Sequence, residues 1–165
     1  MVNAIVAVDL KNGISRKGEI PWHFKEDMKF FAKTTEGGVC IMGRGTYEYI
    51  KSKTGKMLPN RDVIVVSNTI SFKPDDATKY SSVYAALVNA VATGKTVWVC
   101  GGSGIYQEAL PYCNSVIITQ IPTLGECDSF FPVSYVKEML QLASKIQLSE
   151  RVVAYRYKTD TPKPI

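Results

Sequence analysis

Histidine is almost missing from this 165-residue chain, which has only His23. Its four cysteines, Cys40, Cys100, Cys113 and Cys127, show no C-x-x-C spacing. Neither residue type offers the clustered ligands of a zinc site, so no metal is expected. Cys40 and Cys100 stand inside apolar runs and read as buried, reduced thiols, as in a cytoplasmic protein. No apolar run nears the roughly 20 residues of a membrane span, and the first residues carry no signal-peptide pattern. A cytoplasmic location away from any membrane is therefore expected. Repeats and low-complexity segments are absent too. No dense run of Lys and Arg with interleaved aromatics occurs, which argues against a nucleic-acid partner. The net charge of +5 is nevertheless uneven: residues 11–61 hold 11 Lys and Arg against 5 Asp and Glu, and the rest balance near zero. A positive field so concentrated suits a small anionic ligand.

The length suits one domain, and 45% hydrophobic with 21% charged content is ordinary for a globular protein. Short continuous apolar runs at Asn3–Val8, Val39–Met42, Val63–Val66, Thr96–Val99, Val116–Thr119 and Val152–Tyr157 read as strands, most of them buried on both faces. Between them come helical patterns: one after Pro21-Trp22, one from about Tyr47 to Lys53, one capped by Ser82 that runs to Ala92 and stops at Gly94, and a short one that Pro111 ends. Alternation of this kind predicts an α/β domain over residues 1–158, with a mainly parallel sheet and an antiparallel pairing among the last strands. The tail, residues 159–165, is expected to fray.

Within the helix after Pro21-Trp22, Lys25, Lys29 and Lys33 repeat every four residues and mark the wet face. Asp27 lies four residues before Phe31, so it shares the side that carries Phe24, Met28 and Phe31. Two readings stand for it. One is a first-turn carboxylate that answers the positive helix end, a role Glu26 could fill equally well. The other is a carboxylate in an apolar cleft that waits for a partly cationic heterocycle.

Two places share another device, a buried strand followed by glycine and a helix N-terminus: Met42-Gly43-Arg44-Gly45-Thr46 and Cys100-Gly101-Gly102-Ser103-Gly104-Ile105-Tyr106. Unpaired N–H groups at such ends suit an anion, and glycine lets phosphate oxygens come close. Each alone reads as a tight strand–helix turn; two in one small domain suggest a ligand with several phosphates. Neither is a Walker loop or a Rossmann fingerprint.

Ile20-Pro21-Trp22 with Asp27 and Phe31, then Ile41-Met42-Gly43-Arg44, Leu58-Pro59-Asn60-Arg61, Gly101-Gly102-Ser103-Gly104-Ile105-Tyr106 and Phe130-Phe131-Pro132 together resemble dihydrofolate reductase, in that family's order and spacing. The resemblance implies an eight-stranded, mainly parallel sheet with helices on both faces, and NADPH-dependent reduction of 7,8-dihydrofolate to tetrahydrofolate. It implies that Asp27 bonds the pterin, with Trp22 holding a water and Thr119 bonding the carboxylate. Ile5 and Cys100 would contribute backbone carbonyls, Met28, Phe31, Ile50 and Leu58 the channel for the aminobenzoyl ring, and Arg61 a fork for the glutamate carboxylate. The cofactor would meet Gly43, Arg44, Gly45 and Thr46, Gly101, Gly102, Ser103, Gly104, Ile105 and Tyr106, with Ser67 and Asn68 near the 2′-phosphate and Ala7, Ile14 and Ile20 near the nicotinamide. A cis Gly101–Gly102 peptide, binding of diaminopyrimidine or pteridine antifolates, and a monomer are implied as well.

The chain departs from the family pattern at Ser15, Ile20 and Cys100, and at Asn68, where many members place a second arginine. A related reductase of riboflavin synthesis would keep the glycine turns but has no need of Asp27 or Arg61. A non-catalytic nucleotide-binding domain would do better with apolar residues at Asp27 and Thr119.

Overall fold

A computed structural model describes residues 1–165. Eight strands form one sheet: β1 (Val2–Val8), β3 (Val39–Gly43), β4 (Asp62–Val66), β5 (Thr78–Tyr80), β6 (Val97–Val99), β7 (Ser115–Gln120), β9 (Gln141–Gln147) and β10 (Val153–Lys158). Their order across the sheet is β5-β4-β3-β6-β1-β7-β10-β9, with β2 (Gly13–Ser15) and β8 (Ser129–Phe130) paired separately. The first six run parallel; only β10 runs against them, between β7 and β9. β1 takes the middle because Val2-Asn3-Ala4-Ile5-Val6 is buried on both faces.

The pleat divides the core in two. Val2, Ala4, Val6, Ile41, Val97, Val99 and Ile118 pack beneath α3 (Val83–Ala92), α4 (Ser103–Ala109) and α5 (Val133–Met139). On the other face Ile5, Cys40, Met42, Val63, Val65, Trp98 and Ile117 pack with Phe30 and Phe31 of α1 (Lys25–Thr35) and with Tyr47 and Ile50 of α2 (Arg44–Thr54). Ser82 caps α3 through its Oγ, which accepts from the Ala85 N–H at 3.1 Å, a contact of about 1 kcal/mol.

Several elements differ from the sequence reading, the short strands β2 and β8 among them. α2 opens at Arg44, not near Tyr47, because Gly43 itself is the extended N-cap and Arg44-Gly45-Thr46 is the first turn. β9 shows no alternation, since every residue of it is exposed; pairing with β10, and not burial, makes it a strand. α5 and the three-residue β5 were likewise unmarked in the sequence. The segment expected to fray carries two backbone hydrogen bonds, Thr159 N–H to Asn114 O and Lys163 N–H to Pro111 O, and the Lys163 ammonium lies 5.4 Å from the centre of the Tyr112 ring.

Candidate active site

β1, β3 and β6 run parallel, so their carboxyl ends open on one edge of the sheet. There the two glycine turns are stitched together: Gly43 N–H donates to Gly101 O, and Cys100 N–H to Ile41 O, both at 2.8 Å. The Gly101–Gly102 peptide is cis. A Cβ on Gly101 would sit 3.0 Å from the Tyr106 ring, where φ is also +107°, and one on Gly43 would sit 3.2 Å from Ile105 Cγ1, so any side chain at either place would crowd these neighbours. No side chain caps α2 or α4, which leaves their first-turn N–H groups directed outward. A Cβ added to Gly45 or Gly104 would meet nothing within 4 Å. The result is an open cradle with donors on two sides. Beneath it Tyr106 is buried, and its hydroxyl donates to Ile5 O at 2.7 Å, so the Ile5 carbonyl already holds one donor.

Asp27 stands in the first turn of α1, half-buried, with no backbone N–H donating to it. Burial pushes its carboxyl up to about 6; the Thr119 hydroxyl tempers the rise and the Glu26 charge adds to it. Thr119 is 1% exposed on β7. Its Oγ1 lies close enough to the Asp27 carboxyl to lower it by hydrogen bonding, although the pair falls short of full hydrogen-bond geometry. A carboxyl without a backbone donor and a buried hydroxyl thus meet at one place. Met28, 55% exposed, and half-buried Phe31, Ile50 and Leu58 give apolar surface on α1, α2 and the turn after α2. On the sheet, Cys100 is held protonated, its thiol pushed well up by the neighbouring Cys40 thiol and by burial.

Arg61 is fixed more firmly than a surface arginine. Its Nε donates to Pro59 O at 2.9 Å, and its Nη1 to Ala32 O at 3.0 Å and to Thr35 Oγ1 at 2.6 Å. These bonds pin the guanidinium to the C-terminal end of α1 and leave Nη2 without a protein acceptor. A shallow hollow of about 510 Å³ beside Lys25, Lys29, Phe30, Lys33 and Leu148 lies on the outer side of α1, away from this arrangement.

The remaining expected residues lie on several elements. Ser67 and Asn68 follow β4, whose carboxyl end lies beside Gly43; Ala7 lies near the end of β1; Ile14 is buried in β2; Ile20 is exposed. Arg44 is engaged by Glu48 at 2.8 Å. Trp22 rests on the loop after β7: a Cβ on Gly125 would fall 2.5 Å from Pro21 Cγ and 3.2 Å from Trp22 Cε3.

One residue escaped the sequence reading. Asp9, 2% exposed, accepts from the N–H groups of Lys11 (2.9 Å), Gly13 (2.8 Å) and Gly125 (2.9 Å) and from the Cys127 thiol (3.5 Å). It ties the loop that carries Pro21-Trp22 to the loop that supports it. The signal in the sequence was an aspartate two residues before Lys11-Asn12-Gly13, the pattern of a side-chain-closed turn.

The dihydrofolate reductase family model matches residues 1–161. Dihydrofolate reductase of Drosophila melanogaster is 34% identical over 145 residues, covering 79% of this chain and 78% of that one. Dihydrofolate reductase HdrB of Haloferax volcanii is 33% identical over 133 residues, 78% of this chain and 69% of that one. Among solved structures, dihydrofolate reductase from Enterococcus faecalis, complexed with NADP(H) and RAB-propyl, matches with a TM-score of 0.87 at 26% identity, covering 98% of this chain and 97% of that one. The chain belongs to the dihydrofolate reductase family, and its reaction is the NADPH-dependent reduction of 7,8-dihydrofolate to 5,6,7,8-tetrahydrofolate.

Proposed function

We propose that Asp27 is the group that holds and positions the pterin, with Thr119 and Trp22 completing its surroundings. The observation behind this assignment is the Asp27 carboxyl, pushed up to about 6 by burial with no backbone donor, beside the buried Thr119 Oγ1 that lacks a well-formed hydrogen bond. A buried polar group without a partner is expensive, and both would be satisfied by a planar ligand edge that offers an amino group and a ring N–H. The carboxyl, held near 6 by its dry surroundings, exchanges its proton in the range where an acid–base group is useful. Trp22, kept in place by Gly125, would close off bulk water while leaving room for one water beside the ring to be reduced.

NADPH supplies the hydride when bound. The residues present fit it: the cradle of Gly43 to Thr46 and Gly101 to Ile105 offers uncapped N–H groups and open space above Gly45 and Gly104. Arg44, Ser67 and Asn68 would hold the 2′-phosphate end, and Ala7, Ile14 and Ile20 the nicotinamide end. Met28, Phe31, Ile50 and Leu58 line the way for the aminobenzoyl ring, with Ile5 and Cys100 contributing backbone carbonyls. Diaminopyrimidine and pteridine antifolates would enter by the same recognition, as planar cations paired with Asp27. In this reading the enzyme acts as a monomer in the cytoplasm; no helix is long and apolar enough to cross a membrane.

Arg61 separates this reading from a related reductase without a glutamate-bearing substrate. NADPH oxidation followed with dihydrofolate, and with a dihydropterin that lacks the glutamate, tests it. Arg61→Leu should weaken dihydrofolate binding by roughly 2–5 kcal/mol and leave the shorter substrate nearly indifferent. Equal losses on both substrates would refute the tail-reading role.

A further inference from the structure

Arg44 does not hang free over the helix N-terminus. Its Nε edge is taken by Glu48 Oε1 at 2.8 Å, one turn along α2, and its Cζ lies 4.5 Å from the centre of the Phe72 ring. Phe72 belongs to the loop between β4 and β5, and that loop is braced from two sides. Lys79 Nζ donates to Thr69 O at 2.5 Å and to Phe72 O at 3.0 Å. Tyr47 meets the Phe72 ring edge-on at 5.6 Å, donates its hydroxyl to Asp76, and Asp76 pairs with Lys51 at 3.0 Å. The same loop begins with Ser67, whose Oγ accepts from Thr69 N–H at 3.2 Å. An ordinary surface arginine would sample many rotamers; this one has an aromatic plate beneath its plane and an acceptor on one edge. Its Nη1 and Nη2 donors bond to nothing in the protein.

We infer that Phe72 and Glu48 are positioning residues for cofactor choice: they set how the Arg44 guanidinium meets the cofactor's 2′-phosphate. The inference rests on the reading of Arg44 as the phosphate-binding residue. The two partners act in opposite senses. Phe72 fixes the plane of the guanidinium, so less rotamer freedom is lost when the phosphate arrives, and the cation keeps its favourable contact with the ring face. Glu48 holds the same group with a full negative charge that opposes an incoming dianion. Glutamine at position 48 would still accept from Nε and would remove the repulsion.

The measurement is the ratio of kcat/KM for NADPH to that for NADH, in the parent and in Arg44→Ala, Phe72→Leu and Glu48→Gln. Glu48→Gln should raise the ratio about fivefold at low salt, and the gain should shrink as ionic strength rises. Phe72→Leu should lower it by about three- to fivefold, the scale of an exposed cation–π contact. Glu48 is exposed, so its variant keeps the question decidable even if Phe72→Leu loosens the loop. If Arg44→Ala collapses the ratio while Glu48→Gln leaves it at the parent value or lowers it, the inference is overturned and the reading of Arg44 stands. If NADPH and NADH move together in Phe72→Leu, its role is merely structural and that half of the inference fails. If Arg44→Ala itself leaves the ratio intact, the underlying assignment is wrong.

Discussion

Two aspartates, Asp9 and Asp27, show what distinguishes a carboxylate that builds the fold from one held for a ligand. Asp9 is 2% exposed, less than Asp27, and burial alone would raise its pKa. The N–H groups of Gly125, Gly13 and Lys11, with the Cys127 thiol, outweigh that and hold it below the ordinary carboxylate range. Cys127 can serve as a donor because burial, and then the Asp9 charge, push its thiol up to about 11. Asp27 keeps more surface exposure, yet burial holds it at about 6 and no backbone N–H offsets that rise. Solvent exposure does not tell the two apart. What separates them is whether the chain itself supplies the donors.

The sharpest way to break this comparison is Asp9→Ala. Removal of the acceptor strands three N–H groups in a buried junction, and loss of about 4 kcal/mol of stability is expected. Denaturant melts at pH 7 would measure it. The folded value of Asp9 is depressed, so its ionic contribution is present above the unfolded carboxylate range and is lost as pH falls through its own lower value. The gap between parent and variant should therefore narrow in acid. A loss below 1 kcal/mol at pH 7 would mean the loops are tied by something else.

Asp27→Asn should behave in the opposite way. At neutral pH kcat/KM should drop about 100-fold or more, the usual scale for a proton-handling group, with partial recovery in acid as substrate takes its proton from solvent. The ligand-free protein should meanwhile become more stable. The folded value of about 6 lies above the unfolded one, so the parent loses stability as pH rises from about 4 to about 6 and carries that deficit at every higher pH. Allowing for the open side of the cleft, the variant should gain about 1–2 kcal/mol at pH 8 and nothing below pH 4. A variant both inactive and destabilised at pH 8 would place Asp27 with Asp9, among the residues that build the fold.

The half-buried position of Asp27 could be read from sequence, because helical spacing puts it at an angle where hydrophobes belong; its neighbour Thr119, on β7, could not. Asp9 could not, because two of its four donors, Gly125 and Cys127, arrive from more than 110 residues away. Arg61 was legible as a cation on a turn; its seat on Ala32 and Thr35 was not, since that contact exists only once α1 docks beside β4. The strands buried on both faces were plain as apolar runs. β9 lacks any buried residue and takes its conformation wholly from β10, so no periodicity could announce it. The start of α2 was hidden by glycines that look like a loop and serve as an N-cap and an open first turn.

The smallest effect, and the finest test of the comparison, is Thr119→Val. If the Thr119 hydroxyl is kept for a ligand, its removal should cost the ligand-free fold nothing below about pH 4, where Asp27 is protonated in the folded and unfolded chain alike. Valine nearly matches threonine in shape, and loss of a buried, unpartnered Oγ1 should stabilise by about 1 kcal/mol at most. The same hydroxyl draws Asp27 down from where burial would leave it. Without it the carboxyl should titrate at higher pH, so the pH dependence of kcat/KM should move upward while its height falls about tenfold, the weight of one hydrogen bond made only with substrate present. The two readouts separate the roles. A hydroxyl that merely fills space would change stability and leave the pH profile alone. A hydroxyl that braces the fold would lower stability by 1 kcal/mol or more, and that result would remove Thr119 from the set of groups held open for substrate and leave Asp27 alone there.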